Sequence, residues 1–310
     1  MNPLRRGYLL GIAAYFCWGV FPIYFKMLAP STPWEILAHR VIWSALFVGL
    51  LLTAVRGWRF LRPLARRPRT LAAIGLTAVL ISINWGTYIY AVLSNHVVES
   101  SLGYFITPLV SVVLGVMVLG ERMRPLQWVA IGAGTAAVVV LTIDYGRPPW
   151  IALILACSFG AYGLVKKQQG LPAAEGLFVE SAALAVPGLG YLALLAWQGQ
   201  STVGVSAPWH TVLLLASGVI TAVPLLLFAG AANRIPLSEL GILQYIAPIL
   251  QLAIGVAVFH EPMPPVRLAG FALVWLGLAV FTWDAVRAVR RSRRERAATP
   301  VPVGTDHVTS

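Results

Sequence analysis

Two charged side chains stand alone inside long apolar runs, Arg40 and Glu180. An ion in an apolar medium is costly, so each needs a reason to be there. A guanidinium presents a planar fork of donors that grips a carboxylate or phosphate, and a lone carboxylate holds an amine or a proton. The two positions are related. A shift of 140 residues lays Glu35 on Glu175 and Arg40 on Glu180. Opposite charges at matching positions are expected to face each other across one central cavity and to act as a pair on a substrate. A structural ion pair, or an arginine snorkelling to an interface, is the competing reading.

A second set of residues is aromatic and polar. Trp18, Trp43, Trp85, Tyr88, Tyr104, Gln244 and Tyr245 fall within apolar runs, several beside glycine or proline, and are expected to line a substrate path. Their rings supply apolar area with a polar handle. Asn84, with Ser82, makes a polar notch that would serve either substrate or interhelical hydrogen bonding. Trp34, Trp58, Trp150, Trp209 and Trp283 sit near the ends of runs and read as interfacial anchors. Pro108 and Pro248, also 140 residues apart, are expected to place bends for gating, because proline removes one helix hydrogen bond. Glu121 and Glu261 are expected to cap loops or to pair with Arg122 or Arg267.

The elements that must position these residues follow from composition. The 310 residues are 58% hydrophobic and 11% charged, with mean hydropathy +0.79. Soluble domains carry roughly 25% charged residues, so this chain cannot cover itself with a polar shell and belongs in lipid. Ten apolar stretches lie near 7–28, 35–55, 70–93, 97–119, 125–143, 149–168, 175–197, 208–232, 238–259 and 265–286. Each approaches the ~20 residues that cross ~30 Å of hydrocarbon as a helix. Continuous runs of this kind exclude the alternating pattern of a membrane β-barrel. The first stretch is too long for a signal-peptide core and is read as a retained span.

The formal charge of +12 is explained by topology. With the N-terminus in the cytoplasm, Arg5, Arg6, the cluster from Arg56 to Arg69, Arg122, Arg124, Lys166, Lys167, Arg234 and the tail arginines all fall inside. Only Lys26, Arg40, Arg147 and Arg267 remain for the other side. No nucleic-acid partner is needed to account for the basic excess. Both termini are therefore expected to be cytoplasmic.

Enzyme chemistry has no support. No phosphate-binding glycine loop, zinc helix, nucleophile elbow or paired-cysteine motif occurs, and no catalytic residue, cofactor or metal is expected. Cys17 and Cys157 read as small apolar side chains, and histidines 39, 96, 210, 260 and 307 are scattered.

The chain also repeats itself. Shifting by 140 lays Glu121-Arg-Met-Arg-Pro125 on Glu261-Pro-Met-Pro-Pro265, and Pro108, Gly115 and Val116 on Pro248, Gly255 and Val256. A shift of 141 lays Trp18-Gly19 on Phe159-Gly160. The expected units are 1–145 and 146–286, five spans each, followed by a basic then flexible cytoplasmic tail over 287–310. Five is odd, so the second copy enters the membrane from the opposite side. The expected fold is therefore all-α and polytopic, with ten transmembrane helices in two inverted five-helix repeats.

At this point the residues resemble the drug/metabolite transporter superfamily, in its EamA-like branch. Gly120-Glu121 with Gln127 and Gly132, and the echo at His260-Glu261, carry that likeness. Ala14-Tyr-Phe-Cys-Trp-Gly19, Glu35-Ile-Leu-Ala-His-Arg-Val-Ile-Trp-Ser44, Ser101-Leu-Gly-Tyr-Phe-Ile106 with Pro108-Leu109, and Gln244-Tyr245 with Ala247-Pro248 resemble the RarD subfamily. The likeness runs over about residues 5 to 286. It implies a permease, by superfamily habit an exporter, that moves small organic metabolites or drugs by alternating access. The substrate is not settled by it. A membrane channel or a membrane-embedded enzyme is the alternative. The expected partners are a small-molecule substrate and the lipid bilayer, with a second copy of the chain left open.

Overall fold

A computed structural model describes residues 2–120, 123–169, 171–205 and 207–298. Its long helices are α1 (Pro3–Met27), α2 (Pro33–Ala54), α4 (Pro68–Leu93), α5 (Val97–Leu119), α6 (Pro125–Tyr145), α7 (Trp150–Gln169), α8 (Ala173–Trp197), α9 (Pro208–Ala232) and α12 (Pro265–Ala298). Two shorter helices, α10 (Leu237–Leu243) and α11 (Ile246–Ala257), share one span, and α3 (Leu61–Ala65) follows a 3-10 turn at Trp58–Phe60. Nine spans among the described residues are long and apolar enough to cross a membrane, and Trp150–Lys166 within α7 is a shorter apolar helix. The chain is a multi-pass, all-helical membrane protein.

Local sequence sets the ends. Proline occupies the first turn of α1, α2, α4, α6 and α9, where its missing N–H costs nothing. Thr32 Oγ1 accepts the Glu35 N–H at 3.2 Å and caps α2. Gly120 and Gly146, at φ +66° and +65°, close α5 and α6 in the left-handed conformation that a side chain resists. The arginine-rich stretch after α2, expected as loop, contains the 3-10 turn and α3, with Trp58 stacked edge-on against Phe178. The basic stretch after Arg287 continues α12 as helix to Ala298; residues 299–310, expected to be flexible, lie outside the described residues.

The two halves interlock about a pseudo-two-fold axis. Helices α2 and α8 hold the same place in their repeats and run antiparallel: Gly188 lies against Ala38, Val41 and Ile42, while Gly49 lies against Phe178. Helices α6 and α12 do the same, through Gly270 on Leu141 and Gly277 on Ala130 and Ala133. Equivalent helices that run antiparallel require inverted halves. The remaining contacts obey the same operation, since α1 packs on α9 and α11 as α7 packs on α4 and α5. Within each pair small residues admit close approach, the means by which helices associate where lipid is as apolar as leucine.

Candidate functional site

Arg40 lies two turns into α2 and is 4% exposed. Its Nε donates to Thr221 Oγ1 on α9 at 2.8 Å, and Thr221 in turn donates to the Ser217 carbonyl. The guanidinium carbon sits 4.0 Å from the Trp85 ring centroid, 5.5 Å from Phe25 and 5.6 Å from Phe21. The hydroxyls of Tyr24, Tyr88 and Tyr104 lie within its electrostatic reach. Among the described residues no carboxylate pairs with it. A desolvated cation–π contact supplies about 2 kcal/mol, whereas an unpaired buried ion costs several, so this arrangement leaves a deficit.

The aromatic wall is built by α1, α4 and α5. Tyr88 stacks edge-on with Phe25 at 5.9 Å and with Tyr104 at 5.6 Å. The Tyr104 hydroxyl donates to Asn84 Oδ1 at 3.2 Å, and Asn84 Nδ2 reaches the Leu155 carbonyl and Ser158 Oγ on α7. The buried Tyr88 hydroxyl has no partner. Arg40, Trp85, Tyr88, Tyr104 and Asn84, all expected at a site from sequence, thus converge. Thr221, Phe21, Phe25 and Tyr24 were not foreseen; the four-residue spacing of Phe21 and Phe25 on one face of α1 is the signal that was available.

Glu180 is a correction. It does not meet Arg40. Its Oε1 accepts from Lys166 Nζ at 2.6 Å and from Thr77 Oγ1 at 2.7 Å, and its Oε2 from the Tyr162 hydroxyl at 3.3 Å. Inversion explains the separation. Residues equivalent in the repeats lie at opposite depths, and with Gly188 level with Ala38 to Ile42, Glu180 is displaced by eight residues along α8, about 12 Å. The two-fold nevertheless relates the environments, because Arg40 bonds Thr221 on α9 as Glu180 bonds Thr77 on α4. The Glu180 position carries its own counter-ion, and the Arg40 position carries none.

Other expected residues lie elsewhere. Trp43 donates its indole N–H to His39 Nδ1 at 3.1 Å. Trp18 packs against Tyr15 and Phe228, and its carbonyl accepts from Gln251. Gln244 and Tyr245 occupy the break between α10 and α11. Pro248 lies four residues beyond Gln244 and removes the hydrogen bond to that carbonyl. Pro108 leaves α5 unbroken. Glu261 caps the N-terminus of α5, accepting the Val97 and Val98 N–H groups at 2.7 and 2.8 Å, and Arg267 pairs with Asp144 instead. Glu121 and Arg122 lie outside the described residues. Near Glu261 a polar cavity of about 200 Å³ is lined by Glu99, Tyr145, Arg147 and Arg267. Its carboxylates are occupied, Glu99 by Arg147 and the Ile151 N–H.

Inverted halves of membrane-spanning helices around a buried charge define a membrane transport fold. The chain belongs to the EamA-like transporter family, whose profile matches it twice, over residues 5–143 and 148–283. It is 53% identical over 305 residues to the protein RarD of Streptomyces exfoliatus, covering 98% of this chain and 97% of that one. It is 41% identical to an uncharacterized transporter of Pseudomonas aeruginosa, covering 93% and 97%. A solved crystal structure at 20% identity matches the fold with TM-score 0.57, over 90% of this chain and 98% of that one. The protein is therefore a membrane transporter of the kind its motifs resemble.

Proposed function

We propose that the protein is a secondary transporter of small organic anions, working by alternating access in the bacterial inner membrane with both termini in the cytoplasm. Arg40 carries the reading. It is a buried cation with no acidic partner among the described residues, beside the partnerless Tyr88 hydroxyl and under three aromatic rings. A substrate carboxylate or comparable anion supplies the missing counter-charge, and the rings take its apolar body. The Lys166–Glu180 pair at the symmetry-related position supports this, since there the protein provides both charges itself. Inverted halves supply the two exchanging states, with the site between them. Export is the direction that the family likeness favours. Units of residues 1–145 and 146–286 account for the doubled profile match.

The test is a thermal-shift screen of the purified protein against carboxylates, sugar phosphates, neutral analogues and amines. A ligand at 100 times its Kd adds about 2.7 kcal/mol of stability. Anionic members are expected to stabilise the wild type and not Arg40→Gln, and the same compounds to show saturable counterflow in proteoliposomes. Equal stabilisation of Arg40→Gln sinks the anion assignment, and flux without saturation indicates a channel.

A further inference from the structure

On the face opposite the chain termini, three buried side chains each leave one polar atom without a partner among the described residues: Glu35 Oε2, His39 Nε2 and His210 Nδ1. They are 0%, 5% and 1% exposed. Glu35 and His39 are one turn apart on the same face of α2, and His210 is in the first turn of α9. A hydrogen-bonded chain joins Glu35 to His210, and His39 stands outside it, bonded to Trp43. The Thr202 N–H donates to Glu35 Oε1 at 2.8 Å, Thr202 Oγ1 lies 2.7 Å from Ser31 Oγ, and Ser31 Oγ lies 3.1 Å from His210 Nε2. Glu35 and His210 both act electrostatically on the His39 ring.

The tautomers follow from the partners. The Leu28 carbonyl, 3.0 Å from His210 Nε2, can only accept, so the proton of a neutral His210 ring is on Nε2 and Nδ1 is a bare base. The Trp43 indole can only donate, so His39 Nδ1 is an acceptor and Nε2 carries the hydrogen. The leftover atoms are thus two acceptors, Glu35 Oε2 and His210 Nδ1, and one donor. That set is short of one hydrogen.

We infer that Glu35, His39 and His210 form a proton-binding site on this face of the transporter. The added proton bonds to His210 Nδ1, converting the ring to imidazolium, and the Glu35 carboxylate is its counter-charge. The proton comes from hydronium in the surrounding water, whose O–H bond breaks as the N–H bond forms and which leaves as water. Around the site, α2 also contributes Arg40, one residue from His39 and bonded to α9 through Thr221. From α1, Tyr24 donates to the Leu213 carbonyl of α9, and Lys26 turns away to Asn95. The ion pair of α8 is at the opposite depth. Among the described residues no three His, Cys, Asp or Glu side chains are placed to hold a metal ion. The same two helices carry Arg40 and this cluster, so a proton bound here is positioned to bias the α2–α9 contact.

The test needs no transported substrate. The full chain, with 15N-labelled histidine rings, is reconstituted in nanodiscs and titrated from about pH 8.5 to about pH 5, the range in which an imidazole changes charge. One ring, absent from His210→Gln, is expected to pass from the Nε2–H tautomer to imidazolium, with its midpoint lowered by at least about one pH unit in Glu35→Gln, equivalent to ~1.4 kcal/mol. In wild type, acid quenching of the fluorescence lost in Trp209→Phe, whose ring lies 6.0 Å from the His210 ring, gives an independent reading that requires no charge-changing variant. A His210 ring that stays neutral throughout, or a midpoint unmoved in Glu35→Gln, overturns the proposal and makes the cluster a seat for a structural water only.

Discussion

A lone guanidinium under aromatic rings is destabilising for the fold, and in the proposed function a substrate anion offsets that cost. Replacing Arg40 by methionine removes the buried charge and keeps the stem volume. The expected outcome is a melting temperature raised by about 2 to 4 °C, corresponding to ~1 kcal/mol, together with loss of anion-induced stabilisation. Differential scanning fluorimetry with and without benzoate measures both. Glu180 should behave in the opposite sense. Glu180→Gln leaves the Lys166 ammonium facing Thr77 and Tyr162 without its anion, and is expected to cost about 1 to 3 kcal/mol, while adding Lys166→Met recovers most of the loss. If the double variant is as unstable as the single, the pair is not what holds α7 on α8. Arg40 and the ring residues on α4 and α5 were legible because a charge or amide within an apolar run is conspicuous. Thr221 was not, since it meets Arg40 across 181 residues and no periodicity records that contact. Lys166, counted with the cytoplasmic charges at the end of the 149–168 stretch, is turned from the last turns of α7 onto Glu180, a contact that no spacing in the sequence records.

At the scale of elements, the closest approach in the site is between α2 and α9. A Cβ on Gly218 would lie 2.2 Å from the Trp43 carbonyl carbon and 2.6 Å from the Ser44 nitrogen, all backbone that cannot swing aside. Gly218→Ala is therefore expected to push the two helices apart and to cost about 1 to 3 kcal/mol, whereas Gly163→Ala, with nothing within 4 Å, should be neutral or stabilising. Thermal unfolding in one detergent compares them; equal melting temperatures refute a rigid α2–α9 contact. The spans themselves were readable, because crossing hydrocarbon imposes a length and an apolar composition that no soluble context imitates. The break at Gln244 and Tyr245 was not, since Pro108 and Pro248 look alike in the repeat. In the structure Pro108 lies within the continuous α5, whereas the chain breaks at Gln244 and Tyr245 just before Pro248.

For the whole molecule, the charge distribution supports the proposed orientation, with both termini in the cytoplasm. Cysteines introduced at Thr32 and Gly199 are expected to react with an impermeant maleimide added outside cells, and a reporter fused after Ser310 to signal from the cytoplasm; a periplasmic reporter signal contradicts the assignment. The odd number of spans per repeat made inversion readable before any coordinates. The depth of individual residues was not readable in the same way, because inversion sends equivalent positions to opposite sides of the midplane, and the expected meeting of Arg40 and Glu180 failed on that account.

The packing of α1 on α9 and of α2 on α8 has a further consequence for biogenesis. Helices α1 and α2 find their main partners well over a hundred residues downstream, so they leave the ribosome with their mating surfaces bare. At synthesis rates of about 5 to 20 residues per second, α2 waits roughly 7 to 28 s for α8. During that interval Arg40 must be held by the insertion machinery or by lipid headgroups, and the nascent chain is at its most vulnerable to membrane proteases.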